Sequence, residues 1–385
     1  MLKPFKHQEK YGQSYKDNEL VVHEGGTGKT VCACLWLKDG RDENALVICP
    51  KRVVKKWEET LKAWGTKATV ISKENFKKMD TSLNWSARVI DEADEFASPL
   101  FTKNRSQLSE AMYKQVMENP DTPTLLLTAT PIRSNPWNLH TLLTFKGTYI
   151  DWKKWRSHFF ELKKEFYLPR PAWMPKDNWR TEAARVLKKH SDIVLLKDCD
   201  ADLPPVYQQF INSKPKGKFV KDIEWTETSK IFVEKHKFEQ NNKVKDIKEH
   251  SKKFRKVIVV AYYRSEVERL TKELGKERLT FGVHGGTKNQ EDVLKEANEN
   301  HDECYLVVQA SLGCSWDGDT FPLLVFTSMS YSVRDYTQMK YRIRRIHNLQ
   351  PVNHLYLIGG KADQAVYDTI QLGREFVPSE WDDVT

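Results

Sequence analysis

Leu20-Val21-Val22-His23-Glu24-Gly25-Gly26-Thr27-Gly28-Lys29-Thr30 is the stretch on which the fold turns. It reads as a short buried strand, a glycine-rich turn and the start of a helix that continues over Val31–Lys38. Glycines let successive backbone N–H groups converge on an anion. The helix N-terminus adds the positive end of its dipole. The candidate phosphate-binding residues are therefore Gly25, Gly26, Thr27, Gly28, Lys29 and Thr30. Lys29 is expected to reach the β- and γ-phosphates, and the Thr30 hydroxyl to sit on Mg²⁺. The full eight-residue form of this pattern has glycine where His23 stands, so the match is to its shorter form. ATP and Mg²⁺ are the ligands this loop implies.

Further along, Asp91-Glu92-Ala93-Asp94 follows the apolar-ended run Arg88-Val89-Ile90. A strand that ends in carboxylates presents them at the carboxyl edge of its sheet, where a phosphate loop also lies. Asp91 is the expected Mg²⁺ partner, through water, and Glu92 the group that orients and deprotonates an attacking water.

Around these two motifs, short apolar runs alternate with helical patterns. Leu20–Val22, Ala45–Cys49, Ala68–Ile71, Val89–Ile90 and Leu125–Leu127 read as strands, and Val31–Lys38 and Val53–Trp64 as helices between them. The second half repeats this. Lys256–Tyr262, Leu279–Val283, Tyr305–Gln309, Leu323–Thr327 and Leu355–Ile358 read as strands, with helices at Ser265–Leu274, Glu291–Asn300 and Val333–Ile346. Alternation of this kind predicts an α/β protein of two tandem lobes, each a mainly parallel sheet covered by helices on both faces. The Leu203-Pro204-Pro205 segment marks the boundary, giving lobes at 1–203 and 204–385. Two segments stand apart. Residues 214–256 are Lys-rich and read as a solvated helix pair leading into the second sheet. Residues 151–190 hold Trp152, Trp155, Phe159, Phe160, Phe166, Tyr167, Trp173 and Trp179 among basic residues. Such aromatics can stack on bases, but packing of a helical appendage onto the first lobe is the preferred reading.

Bulk properties narrow the class. The 385 residues suffice for two ordinary cores, and 39% hydrophobic with 30% charged residues is a globular balance. A formal charge of +9 fits a polyanionic partner and equally a lysine-rich surface kept for solubility. No apolar run approaches a membrane span, and the first residues lack a signal-peptide core. The six cysteines are scattered without a Cys-x-x-Cys pair, which reads as buried free thiols in a cytoplasmic protein, with neither disulfides nor zinc.

The order of motifs resembles the superfamily 2 helicase-like ATPases, and most closely their Swi/Snf-type DNA translocases. Leu2-Lys3-Pro4-Phe5-Lys6-His7-Gln8 is similar to the family's opening element, in which Gln8 would read the adenine edge. Leu46-Val47-Ile48-Cys49-Pro50, followed by Trp57-Glu58, resembles the element that touches one DNA strand. Leu127-Thr128-Ala129-Thr130-Pro131 resembles the third motif, which couples the ATP site to nucleic acid; Thr128, Ala129, Thr130 and Pro50 inherit those roles. Leu195-Leu196-Lys197-Asp198 is similar to the family's hinge approach. Gln338-Met339-Lys340-Tyr341-Arg342-Ile343-Arg344-Arg345-Ile346 is similar to Gln-x-x-Gly-Arg-x-x-Arg-Ile, with Tyr341 at the usual glycine. On one helix face, Arg342 and Arg345 would meet the γ-phosphate and Gln338 would position water or phosphate. Gln309–Trp316, with Gly313, is a loose version of the fifth motif.

The resemblance implies an ATP site in the cleft between the lobes, completed when they close. It implies a DNA-stimulated ATPase that moves along nucleic acid, DNA in preference to RNA, held mainly by phosphates. Two other readings stay open: a strand-separating DNA or RNA helicase, and an ATP-switched subunit of a multi-protein defence or restriction assembly with an unidentified protein partner.

Overall fold

In the computed structural model, β1 (Asn18–His23) is buried from its second residue to its last. A strand with no exposed face must sit inside a sheet covered on both sides. The structure describes residues 3–13, 15–80, 82–100, 105–132, 135–164, 170–199, 203–213, 243–299, 301–313, 316, 318–329, 332–344 and 350–373. The chain divides into two units, Met1–Asp200 and Ala201–Gly373.

The first unit opens with α1 (Lys6–Glu9), then β1 and α2 (Lys29–Lys38). It continues through β2 (Ala45–Cys49), α3 (Val54–Trp64), β3 (Thr69–Ser72), α4 (Lys73–Phe76) and β4 (Ala87–Asp91). Next come α5 (Gln107–Glu118), β5 (Thr124–Thr128) and α6 (Pro136–Phe145). It closes with α7 (Trp152–Phe159), β6 (Phe160–Lys163), β7 (Ala172–Pro175), α8 (Trp179–His190) and β8 (Asp192–Val194). Six strands form one parallel sheet in the order β3-β2-β4-β5-β1-β8. Two apolar clusters flank it. One is built on Leu20, Val22, Ile48, Ile90 and Leu126, the other on Val21, Val47, Val89, Leu125 and Leu127. Alternate residues of each strand thus feed opposite faces, as a covered parallel sheet requires.

Arg88 locks β4 in place from within the core. It is 1% exposed and donates to the Thr124 hydroxyl, to the Gln115 side chain and to the carbonyls of Gln115, Asn119 and Thr122. Burial pulls its guanidinium down to about 10.

The second unit runs β9 (Val206–Asn212), α9 (Lys243–Ser251), β10 (Lys256–Ala261), α10 (Arg264–Leu274), β11 (Thr280–Val283) and α11 (Gln290–Glu299). It ends with β12 (Cys304–Gln309), β13 (Leu323–Phe326), α12 (Val333–Ile343), β14 (Val352–Ile358) and α13 (Lys361–Gly373). Its parallel sheet has the order β11-β12-β10-β13-β14-β9. The fold is α/β with two six-stranded, mainly parallel lobes, as the alternation of elements predicts.

Three expectations need correction. The aromatic segment is not wholly helical: β6 and β7 form an antiparallel hairpin between α7 and α8. Four of its six described aromatics pack inward, Trp155, Phe159, Phe160 and Trp179 in the lobe-one core; Phe166 and Tyr167 lie outside the described residues. The Lys-rich lead-in is not all solvated. Residues 214–242 lie outside the described residues, and Lys243 is fully buried, with its ammonium on Asp363 and the Thr327 carbonyl. The helix read over Val333–Ile346 stops at Ile343, and Arg344 is extended. Five cysteines, Cys32, Cys34, Cys49, Cys199 and Cys304, are free and buried, and Cys314 lies outside the described residues. Among the described residues, no helix is long and apolar enough to cross a membrane.

Candidate nucleotide site

Strand register brings the motifs of lobe one to one level. Val22 pairs with Thr128 across β1 and β5, and Leu127 pairs with Asp91 across β5 and β4. All three strands are parallel, so the residues that follow β1, β4 and β5 emerge at the same carboxyl edge.

The phosphate loop leaves β1 at this edge. Gly26 and Gly28 adopt φ of 89° and 81°, the left-handed region that glycine reaches without Cβ strain. A side chain at Gly28 would also collide with Gln8, whose Nε2 stands 2.4 Å from where a Cβ would go. Gly28 is the N-cap of α2, and no side chain caps that helix end. The open N-terminus and the cradle of Gly25–Gly28 fit a phosphate. Lys29 Nζ donates to the His23 carbonyl at 2.9 Å, so the ammonium is folded back over the loop. Thr30 follows on the first turn of α2, half-buried. Thr27 is buried, its hydroxyl on the Glu24 carbonyl at 2.9 Å.

Gln8 is 2% exposed and braces the loop from below. Its Nε2 donates to the carbonyls of Thr27 at 3.0 Å and Gly28 at 3.4 Å, and its Oε1 accepts from Phe5 N at 2.9 Å. Glu24 ties the loop to the end of the lobe. Its carboxylate accepts from Leu196 N at 2.7 Å, and its own N–H donates to Val194 O.

The carboxylates stand at the end of β4. Asp91 Oδ2 accepts from the Trp57 indole N–H at 2.9 Å, and Oδ1 from Glu92 N at 3.0 Å. Burial pushes the Asp91 carboxyl above its usual range, while Trp57, Lys29 and the Glu92 N–H pull it back. Glu92 has φ 51°, a left-handed conformation that costs a non-glycine residue about 1–3 kcal/mol. That reversal turns the chain into the helical turn Ala93–Phe96 and leaves Glu92 beside Asp91 at the sheet edge. Asp94 is buried and accepts from the Thr128 hydroxyl at 3.0 Å; that hydroxyl in turn accepts from Thr130 N at 3.0 Å. Ala129 and Thr130 are both 7% exposed. A continuous chain therefore joins the acidic motif to Thr128-Ala129-Thr130, a link that residue spacing did not reveal. Pro50 ends β2 and opens the turn Lys51–Val53.

Trp57 corrects an expectation. The resemblance groups it with an element on DNA, but it is 1% exposed, packed in lobe-one core and bonded to Asp91. Its inward position two turns before Trp64 is legible as the buried face of α3; its partner is not.

In lobe two, Gln338 and Arg342 share one face of α12. Arg342 Nε donates to the Gln338 carbonyl at 3.2 Å, and a terminal nitrogen to Trp316 O at 2.5 Å. Gln338 is buried and Arg342 half-buried. α12 ends at Ile343, and Arg345, expected on the same helical face as Arg342, lies outside the described residues. Gly313 has a packing reason: a Cβ there would stand 3.3 Å from Asp335 O and Met339 N, a tight contact that α12 would have to yield to by a few tenths of an ångström.

The comparisons with known proteins accord with this geometry. No protein-family model matches the chain, and no curated protein matches it. Among solved structures, it superposes on the Mycobacterium smegmatis helicase Lhr bound to ssDNA and AMP-PNP, with TM-score 0.57 at 15% identity over 96% of this chain. The chain therefore shares the α/β fold of that helicase. It spans about half the length of that Lhr chain, 48%. The Sulfolobus solfataricus SWI2/SNF2 ATPase core in complex with dsDNA matches at TM-score 0.43 and 14% identity, covering 98% of this chain and 92% of that one.

Proposed function

We propose that this protein is an ATP-dependent nucleic-acid motor, a DNA-stimulated ATPase that translocates on DNA. The observation that carries the reading is the convergence of Lys29, Asp91 and the Asp94–Thr128 link at one sheet edge. Gly25, Gly26, Thr27 and Gly28 would hold the phosphates, with Lys29 released from the His23 carbonyl onto them. Thr30 and Asp91 would hold Mg²⁺, which neutralises phosphate charge when bound. Glu92 would take the proton of the attacking water. Gln8, already against Gly28, would sense the base. Thr128, Ala129 and Thr130, with Pro50, would pass the state of the acidic motif to the nucleic acid. From lobe two (204–385) we propose Arg342, with Gln338 behind it, as the cation for the γ-phosphate, and Gly313 as part of the nucleic-acid grip. Arg345 keeps that proposal on its sequence position alone.

Steady-state ATPase measured without nucleic acid and with single-stranded, duplex and branched DNA and RNA tests the reading. Lhr was solved with single-stranded DNA and AMP-PNP, which makes those the first ligands to try. Duplex stimulation is expected. Preference for single strands points to strand separation, and hydrolysis indifferent to nucleic acid points to an ATP-switched subunit. A Lys29→Ala protein with wild-type ATPase would overturn the site itself.

A further inference from the structure

A second constellation lies beneath the phosphate loop, on the residue that departs from the full glycine pattern. His23 ends β1 and is fully buried. Its Nε2 stands 3.0 Å from Asp192 Oδ2. A carboxylate only accepts, so Nε2 carries the proton and Nδ1 offers a lone pair. That Nδ1 lies 4.0 Å from the Sγ of Cys32, on the first turn of α2. His7 approaches from α1, its Nε2 2.9 Å from the Thr27 carbonyl. A carbonyl also only accepts, so His7 Nδ1 keeps its lone pair, and it is buried without a hydrogen-bond partner. One nitrogen of each ring and the Cys32 sulfur all fall within 4.8 Å of one another.

Two imidazoles and a thiol are the donors of a soft or borderline ion, distinct from the oxygen donors that suit Mg²⁺. With Zn–S near 2.3 Å and Zn–N near 2.0 Å, tetrahedral donors stand about 3.5 Å apart. The Cys32–His23 pair must close by about half an ångström and the widest pair by a little over one. Histidine ligands are generally fixed by a carboxylate or carbonyl on their other nitrogen. Asp192 and the Thr27 carbonyl already occupy those places. A metal bond would also give the buried His7 Nδ1 the partner it lacks.

We propose that His7, His23 and Cys32 form a binding site for a thiophilic divalent metal ion of the zinc class, held by Asp192 and the Thr27 carbonyl as outer partners. Coordination releases the Cys32 thiol proton to solvent and joins α1 to the two elements that flank the phosphate loop. The site does not depend on ATP hydrolysis, and its test reads metal binding directly.

The full chain, stripped with a chelator, is titrated with Co²⁺ and followed by near-ultraviolet absorption. A thiolate-to-cobalt charge-transfer band that saturates at one equivalent and is displaced by Zn²⁺ is expected. Cys32→Ser is expected to abolish the band, and Cys34→Ser, the neighbouring buried thiol, to keep it. His7→Ala, at a half-buried position with little to lose in packing, is expected to weaken Zn²⁺ by at least the roughly 10–100-fold that follows loss of an outer partner. Absence of the band, its survival in Cys32→Ser or its loss in Cys34→Ser would overturn the site. Wild-type Zn²⁺ affinity in His7→Ala would do the same.

Discussion

Replacing Trp57 by phenylalanine isolates one hydrogen bond. The ring stays in the apolar cluster of Val47, Leu61 and Val89, while Asp91 Oδ2 loses the indole N–H at 2.9 Å. A hydrogen bond to a charged acceptor contributes about 1.5–3 kcal/mol. At about 1.4 kcal/mol per factor of ten, Mg²⁺ dependence should weaken about 10–100-fold if Asp91 holds the ion through its ionised form. Excess Mg²⁺ should restore most of the turnover. Stability supplies an independent check. Burial has already raised the Asp91 carboxyl above its ordinary 3.8, so between those values the native state binds more protons than the unfolded chain. Stability therefore falls as pH rises through that window. Removing a donor raises the carboxyl further, so Trp57→Phe should destabilise more at pH 7 than at pH 4. The small void left by the lost indole ring costs the same at both. The assays are ATPase against Mg²⁺ at saturating ATP, and urea melts at the two pH values. Superimposable Mg²⁺ curves, together with a pH-independent loss of stability, would refute the coupling of Trp57 to Asp91.

Asp91→Asn should abolish ATPase and remove the fall of stability with rising pH that the raised carboxyl causes, because an amide does not titrate; urea melts that keep that pH dependence would contradict it. His23 is held at about 4, below its ordinary 6.5, chiefly by burial and against the pull of Asp192. The unfolded chain then binds the extra proton between those values, so stability is full above 6.5 and falls as pH drops toward 4. The loss should reach about 2 kcal/mol by pH 5, and urea melts of His23→Gln in chelator should lack that part of it. His7, His140 and His190 are lowered as well and add to the limb that remains. Lys243→Met should cost about 3–5 kcal/mol by stranding Asp363, and Lys243→Met with Asp363→Asn should recover much of it. A loss under about 1 kcal/mol would show that the pair is dispensable.

Legibility followed local chemistry. The glycine loop, β1, β2, β4 and β5 could be read because each is an apolar run with a sharp boundary, and Asp91 because it ends such a run. Two edge strands escaped. β8 is only three residues long, and β9, Val206-Tyr207-Gln208-Gln209-Phe210-Ile211-Asn212, is largely exposed and lacks an apolar run. Lys243 looked like its solvated neighbours because a buried lysine differs from an exposed one only in what folds over it. The early end of α12 carries no proline or glycine to announce it. The Asp91–Trp57, Asp94–Thr128 and His23–Cys32–His7 contacts join separate elements, and spacing along the chain says nothing of such encounters.

The position of β1 sets a schedule for synthesis. Its outer neighbour β8 joins it through Val21 and Asp192, about 170 residues later. At about 5–20 residues per second, a ribosome takes some 10–30 s to cover that interval. Until then β1 has a bare edge, and the Glu24 carboxylate has no Leu196 N–H to accept from. The nascent chain thus carries the phosphate loop's letters long before it can carry the loop. The second lobe repeats the arrangement, for β9 lies at the edge of its sheet and, among the described residues, pairs only with β14, the last strand. Each lobe is fastened by its own first and last strands, so a truncation just after residue 346, which spares every motif but removes β14, should leave β9 without the strand it pairs with in the second sheet.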